Sequence, residues 1–141
     1  MRLVLDTNVL IAALIKDSLT REIMLLPGFE FLLPEYALEE VRRHRDKIAR
    51  HARLKPAEVD LLLSLLTESV TIVASERIAS HLKAAETLIG AADPDDVPFV
   101  ALALAEPNDG VWSNDRAFCG LPGIKLWTTN DLKEYLKQRG A

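Results

Sequence analysis

The stretch LVLDTNVLIAAL, residues 3–14, decides the fold of this chain. Its first residues are aliphatic and uninterrupted, which is typical of a short buried strand. The run ends at Asp6, and two more polar residues, Thr7 and Asn8, precede a second apolar stretch with the length of a helix. The sequence therefore raises a question about the first strand: why does it end in a carboxylate?

Strands and helices alternate along the rest of the chain. Further strands are predicted in FEFLL (29–33), VTIVA (70–74), GVWSND (110–115) and IKLW (124–127). Helices are predicted between them, over residues 8–15, 18–26, 34–50, 56–69, 75–89, 95–105 and 130–138, with Pro34 and Pro56 as first helical residues. This alternation predicts an α/β protein with three layers, α/β/α, around a central parallel sheet of about five strands.

Length and composition are consistent with one compact domain over residues 1–141. No apolar run reaches the 18 residues of a membrane-spanning helix, and the first residues lack the pattern of a signal peptide. The single cysteine excludes an internal disulfide and fits a reducing compartment. We therefore expect a cytoplasmic protein that has no membrane association.

Acidic residues recur where the predicted elements meet the carboxyl ends of the strands. Asp6 ends the first strand, and Asp115 follows the fourth one. The cluster DPDD, residues 93–96, opens the helix that leads to the fourth strand, and Glu39 and Glu40 lie in the helix after the second. In a parallel sheet all these positions share one edge, the edge at which α/β proteins place their active sites.

Each of these acids also has an ordinary structural explanation. Asp6 and an aspartate of the DPDD cluster suit helix N-caps, and Asp115 suits a turn. The two glutamates suit an exposed helix face beside arginines. These separate explanations do not account for the convergence of the acids on one sheet edge.

Carboxylates that converge on one crevice repel one another, by roughly 4 kcal/mol per pair at about 4 Å and an effective dielectric constant of ~20. Raised pKa values or a bound divalent cation relieve this repulsion. Because the acids offer only oxygen, and because His44, His51 and His81 lack the spacing of a metal-binding pair, the pattern favours Mg²⁺ or Mn²⁺ over zinc.

A basic segment stands apart from the acids. The stretch RRHRDKIARHARLK, residues 42–55, holds seven of the seventeen lysines and arginines and only one acid, Asp46. The net charge of −4 argues mildly against a general nucleic-acid-binding protein, but the chain outside this segment is distinctly acidic. The charge is thus divided between a basic helix and a set of carboxylates.

Together, these motifs resemble those of the PIN domain, a family of metal-dependent ribonucleases that includes the VapC toxins of toxin–antitoxin pairs. LVLDTNVLIAAL is similar to the opening signature of the family, and LEEV (38–41) to the motif with a glutamate before an aliphatic residue. DPDDVPFVALALA (93–105) is similar to the third motif, and VWSNDRAF (111–118) to the closing T-x-D-x-x-F motif, with Ser113 in place of threonine. The resemblance covers essentially the whole chain.

The resemblance implies an acidic quartet that is both catalytic and metal-binding: Asp6, Glu40, Asp96 and Asp115. Glu40 is preferred to Glu39 because it directly precedes Val41, and Asp96 is preferred to Asp95 because Val100 and Ala103 then follow at the family's spacing. Both choices stay open. Supporting roles are implied for four neighbours: Asn8 beside Asp6, Ser113 or Asn114 beside Asp115, and Asp93 behind the ligands.

The reaction implied by the resemblance is hydrolysis of phosphodiester bonds in single-stranded RNA, with one or two Mg²⁺ or Mn²⁺ ions in the quartet and with Asp96 or Glu40 holding the attacking water. An acidic site repels phosphate, so nearby cations are needed to bring the RNA in. We expect this role for seven residues: Arg42, Arg43, Arg45, Lys47, Arg50, Arg53 and Arg116.

The expected partners are RNA, a second copy of the chain and an antitoxin protein. The leucine-rich helices around residues 35–68 offer a surface for a homodimer. Whether the chain is a toxin stays open, because its DPDD motif and long helical middle look more like other prokaryotic PIN proteins than like compact VapC toxins.

Two other classes of protein match less well. A PIN-like module that only binds RNA or protein has no need to assemble so many repelling acids. A phosphatase of the haloacid dehalogenase type uses Asp-x-Asp after its first strand, but Asn8 occupies the second of those positions, and the scattered glycines form no phosphate-binding loop.

Overall fold

The computed structural model describes residues 1–16 and 18–140. Its centre is a five-stranded parallel sheet with the strand order β3-β2-β1-β4-β5. The strands are β1 (Arg2–Leu5), β2 (Glu30–Pro34), β3 (Val70–Val73), β4 (Gly110–Trp112) and β5 (Leu126–Trp127). All five lie within or overlap the predicted stretches, so the α/β class and the parallel sheet are confirmed.

The chain changes direction across the sheet at β1. From β1 it proceeds outward to β2 and β3, and it then returns to add β4 and β5 on the other side. Val4 is in register with both Leu32 of β2 and Val111 of β4. A reversal of this kind opens a crevice beyond the carboxyl ends of the two strands that flank it, here β1 and β4.

Helices cover both faces of the sheet. Leu3, Val4 and Leu5 are each 0% exposed, and because successive strand residues point to opposite faces, both faces of β1 are covered. The helices are α1 (Thr7–Ile15), α2 (Leu19–Met24), α3 (Glu35–Arg43), α4 (Arg45–Ala52), α5 (Pro56–Thr67), α6 (Ser75–Ile78), α7 (Leu82–Ala85), α8 (Val97–Ala105) and α9 (Thr129–Gln138). Short 3₁₀ turns at Ala79–His81, Pro94–Asp96 and Arg116–Phe118 and a π-helical turn at Glu86–Gly90 complete the chain's helical segments.

Two predicted helices differ from those observed. The predicted helix 34–50 is broken at His44 into α3 and α4, and Pro34 is the last residue of β2, with extended backbone angles, rather than the first helical residue. The break lets α4 pack against both α1 and α5, where Arg45 forms an ion pair with Asp60 at 3.1 Å. The predicted helix 75–89 is likewise divided into short α, 3₁₀ and π segments.

None of the helices in the described ranges has the length and apolar character that crossing a membrane requires.

Candidate metal centre

Asp6 lies at the end of β1, at the crevice between the two central strands. Its backbone N–H donates to the Trp112 carbonyl at 3.1 Å, so the ladder between β1 and β4 extends to this residue. The side chain caps α1 and is only 2% exposed. Burial raises the pKa of the Asp6 carboxyl, while hydrogen bonds from the Ser113 hydroxyl and the Asn8 backbone N–H oppose that rise.

Ser113 connects two of the acids. It directly follows β4 and is fully buried. Its hydroxyl donates to Asp6 Oδ2 at 2.7 Å and accepts from the Asp115 backbone N–H at 3.0 Å. The sequence left Ser113 and Asn114 as alternatives beside Asp115, and in the structure the contact is made by Ser113. The Asn114 side chain instead bonds Thr129 at the start of α9.

Asp96 lies at the end of the 3₁₀ turn that leads into α8, and its side chain is only 5% exposed. Its Oδ2 atom finds no hydrogen-bond partner anywhere in residues 1–16 and 18–140. Burial, followed by the nearby charges of Asp6, Asp93 and Asp115, raises the pKa of Asp96 to about 8. The neighbouring Asp95, by contrast, is exposed. Burial therefore distinguishes two aspartates that the sequence alone could not.

Three acids converge most closely. Asp93, Asp96 and Asp115 each offer a carboxylate oxygen, and these oxygens all lie within 4.8 Å of one another. Asp93 was expected behind the ligands, but this geometry makes it a candidate ligand in its own right. Asp93 and Asp115 also cap their turns, through bonds from the backbone N–H of Asp95 at 3.0 Å and of Ala117 at 2.9 Å. Asp93 and Asp115 therefore act as caps and are candidate metal ligands at the same time.

Glu40 lies on α3 and is not one of the three acids that converge most closely. It is half-buried, whereas Glu39 is exposed. Its Oε1 accepts a hydrogen bond of 2.7 Å from the Thr7 hydroxyl. Burial, together with the charges of Asp95 and Asp6, raises the pKa of Glu40 against the opposing effects of the Thr7 bond and of Arg43. The sequence indicated Thr7 only as a turn residue beside Asp6 and did not predict its bond to Glu40.

Asn8 supports Asp6 through its backbone rather than its amide group. The Asn8 backbone N–H donates to Asp6 Oδ1 at 3.5 Å, and the residue itself is exposed. Its side chain lies in a groove between α1 and α4, together with Lys47.

The predicted basic residues differ in their contacts and exposure. Arg43 lies over the Tyr36 ring, 5.8 Å from its centroid, and its charge acts on Glu40. Arg45 is held by Asp60 and by the carbonyl of Pro56, which gives it a structural function at the α4–α5 contact. The remaining predicted cations are exposed: Arg42, Lys47, Arg50, Arg53 and Arg116.

The acidic group fits a hard divalent cation. Its ligands are carboxylate oxygens, and histidine and cysteine are absent from the cluster formed by the described residues. Such a set suits Mg²⁺ or Mn²⁺. The unpartnered Oδ2 of Asp96 is a buried acceptor that a cation would satisfy, because a buried polar atom without a partner is otherwise costly.

Comparisons with known proteins agree with this architecture. The family model described as PIN domain matches residues 4–137. A similar solved structure is the crystal structure of VapBC2 from Rickettsia felis bound to a DNA fragment from their promoter; the TM-score is 0.71 over 91% of this chain and 98% of that chain, at 18% sequence identity. That identity supports likeness of fold alone. No curated protein matches the chain by sequence.

Proposed function

The chain belongs to the PIN domain family, and from this premise we propose that it is a divalent-metal-dependent endoribonuclease that hydrolyses phosphodiester bonds of single-stranded RNA. The single observation that carries the proposal is the convergence of Asp93, Asp96 and Asp115 around the buried, unpartnered Oδ2 of Asp96. Without a cation, placing these three carboxylates so close together would only destabilise the folded protein.

Asp93, Asp96 and Asp115 would hold the cation, with Asp6 beside them. When bound, Mg²⁺ or Mn²⁺ supplies charge neutralisation at the phosphate and lowers the pKa of water. Ser113 keeps the Asp6 carboxylate and the Asp115 backbone in a fixed relation, because its hydroxyl bonds both. Such supporting bonds commonly change metal affinity by ~10- to 100-fold when they are removed.

Glu40 is suited to hold the attacking water. Its carboxylate is fixed by Thr7 at 2.7 Å and stands outside the closest group of three acids. Because its pKa is raised, it is a better base than an exposed glutamate. The attacking water would thus lose its proton to Glu40 as it approaches the phosphorus.

The exposed cations of α3 and α4 are proposed to bring in the RNA strand. Arg42, Lys47 and Arg50 are exposed on these two helices, Arg53 is exposed directly after α4, and Arg116 is exposed next to Asp115. We leave Arg45 out of this path because Asp60 and Pro56 already occupy its guanidinium group. Phosphate contacts of this kind give affinity without sequence preference.

Regulation by an antitoxin and assembly as a homodimer are proposed for the apolar outer face of α5. Leu61 is 62% exposed and Leu65 is 55% exposed. Both line a groove of about 400 Å³ that also includes Leu14, Leu54 and Leu62. Exposed leucines in a groove are typical of protein contact surfaces. The structural neighbour from Rickettsia felis is a VapBC2 assembly, which supports looking for a partner of that kind.

The test of the nuclease is cleavage of a fluorescent single-stranded RNA with Mg²⁺, with Mn²⁺ and with excess EDTA. Asp6→Asn and Asp96→Asn are the variants, and Asp95→Asn is the matched control one residue from the buried acid. We expect metal-dependent cleavage that both variants lose and the control keeps. Equal cleavage by wild type and variants would identify a contaminant and contradict the proposal. No cleavage together with no Mn²⁺ binding would favour a non-catalytic RNA- or protein-binding module.

A further inference from the structure

We infer that the groove between α1 and α4 is a nucleobase subsite, which takes an unstacked base of the RNA strand next to the cleaved phosphate. This inference rests on the proposed ribonuclease function and extends it, because it assigns a second binding site and its ligand. The groove has a volume of about 370 Å³. That lies at the lower end of the range of small-molecule sites, which is roughly 300–1,000 Å³.

The groove is connected to the acidic site through Asn8. The backbone N–H of Asn8 bonds the Asp6 carboxylate, and the same residue lines the groove. From Asn8 the groove follows α1 past Ile11 to Ile15. These positions span about 10 Å at 1.5 Å per residue. An RNA strand held at the acids can therefore place a neighbouring base in this groove.

The floor of the groove is apolar. Ile11 and Ile15 on α1 are half-buried, and Ile48 on α4 is 3% exposed. Flat aliphatic surface of this kind gains free energy from covering the face of a base, independently of which base it is. A phosphate or a metal ion would gain no comparable free energy from contact with three isoleucines.

The rim of the groove is polar and cationic. His44, Lys47 and His51 lie on it at the spacing of one helix face, and none of the groove's lining residues is acidic. His51 Nδ1 lies 2.8 Å from the Lys47 carbonyl, and since a carbonyl only accepts, that nitrogen carries the proton. This bond leaves Nε2 available to hydrogen-bond the edge of a base, while Lys47 can reach the adjoining phosphate.

A single RNA strand satisfies all of these features at once. The apolar face of a base matches the isoleucines of the floor, and the hydrogen-bonding edge of the base matches the histidines. The negative charge of the adjoining phosphate matches Lys47. The groove under α5, by contrast, is lined mainly by leucines and suits a protein segment better.

The test uses a series of single-stranded RNAs in which one nucleotide at a time lacks its base. Cleavage is followed under single-turnover conditions for wild type and for Ile11→Asp, which places a charge on the groove floor. We expect one abasic position, close to the cleaved bond, to slow wild type by about 5- to 100-fold. We expect Ile11→Asp to cleave the intact RNA at that slowed rate, with little further loss from the abasic position.

Two controls keep the test decisive. His51→Ala changes an exposed rim residue without touching the core, so it covers the case in which Ile11→Asp fails to fold, and it should also reduce the effect of the abasic position. Leu82→Asp, at an exposed position on α7 that lines neither groove, should keep the full effect. In EDTA, RNA carrying 4-thiouridine at the sensitive position should crosslink to peptides of α1 or α4, which measures placement without activity.

The outcomes separate this inference from the function on which it depends. RNA that is cleaved with no sensitive position, or with a sensitive position that Ile11→Asp and His51→Ala leave unchanged, would overturn the subsite and leave the nuclease standing. Crosslinks that map only outside α1 and α4 would overturn it equally. No cleavage of any RNA by wild type would overturn both.

Discussion

Replacing Asp96 with asparagine should stabilise the metal-free protein at alkaline pH, because it removes a buried charge that the fold does not balance. The Asp96 carboxyl is 5% exposed, its Oδ2 has no partner in the described ranges, and its pKa rises from 3.8 to about 8. Between those values the folded chain binds more protons at this site than the unfolded chain does. The free energy of unfolding of wild type therefore falls as the pH rises through this window.

The size of the effect follows from the width of that window. One pH unit corresponds to about 1.4 kcal/mol, so moving from pH 5 to pH 8 should cost wild type about 4 kcal/mol. Asp96→Asn lacks this contribution, so its free energy of unfolding should depend on pH only through the smaller effects of Asp6 and Glu40. At roughly 2–4 °C per kcal/mol, the melting temperature of wild type should fall by about 10 °C more than that of the variant.

The assay is thermal unfolding by circular dichroism at pH 5, 6, 7 and 8, with EDTA or with Mn²⁺. Saturating Mn²⁺, at about 100 times its Kd, should stabilise wild type by about 2.7 kcal/mol and the variant by much less, which narrows the difference in stability between them at pH 8. Asp95→Asn, at the exposed neighbouring position, should follow wild type throughout. Parallel pH profiles for wild type and Asp96→Asn, with equal stabilisation by Mn²⁺, would refute the reasoning.

Three further predictions concern two residues that hydrogen-bond the acids and one glycine at the start of β4. Ser113→Ala should raise the pKa of Asp6 further, so Mn²⁺ binding measured by calorimetry should weaken by about 10- to 100-fold and begin at higher pH, while Ser113→Thr should restore it. Thr7→Val should remove the hydrogen bond that holds the Glu40 carboxylate, so the cleavage rate should fall by about tenfold while the Mn²⁺ affinity stays unchanged. Thr7→Ser keeps the hydroxyl and should cleave at nearly the rate of wild type. Gly110→Ala should lower the free energy of unfolding in urea by about 3 kcal/mol, because its φ is +140° and a Cβ would lie 2.4 Å from a backbone oxygen; a loss below about 1 kcal/mol would contradict that packing.

Much of the fold could be predicted from the sequence, because the strands are short, strongly apolar and separated by clear helix patterns. The parallel sheet and the position of Asp6 at a strand end followed from that alternation, whereas the strand order in the sheet was not predicted. The break at His44 could not be predicted, since neither proline nor glycine marks it. It arises from tertiary packing, in which α4 leaves the axis of α3 to contact α1 and α5.

The candidate site was predictable in its residues more than in its contacts. Asp96 is buried and Asp95 is exposed, but a single sequence does not show which of two neighbouring aspartates is buried. Asp93 changes from a supporting acid to a candidate ligand because a 3₁₀ turn, rather than a regular helix, brings it beside Asp96. The bond from Thr7 to Glu40 joins positions 33 residues apart, which no local pattern reveals.

The hydrogen bond between Ser113 and Asp6 has a consequence for the time course of synthesis. It joins residues 107 positions apart, and β4, which directly precedes Ser113, pairs with β1. Chains fold from the amino terminus as they are synthesised, and contacts of such long separation form late. A growing chain therefore presents Asp6 long before Ser113 and the other residues that surround its carboxylate have been made. The acids at this edge of the sheet come together only after synthesis has passed Asp115.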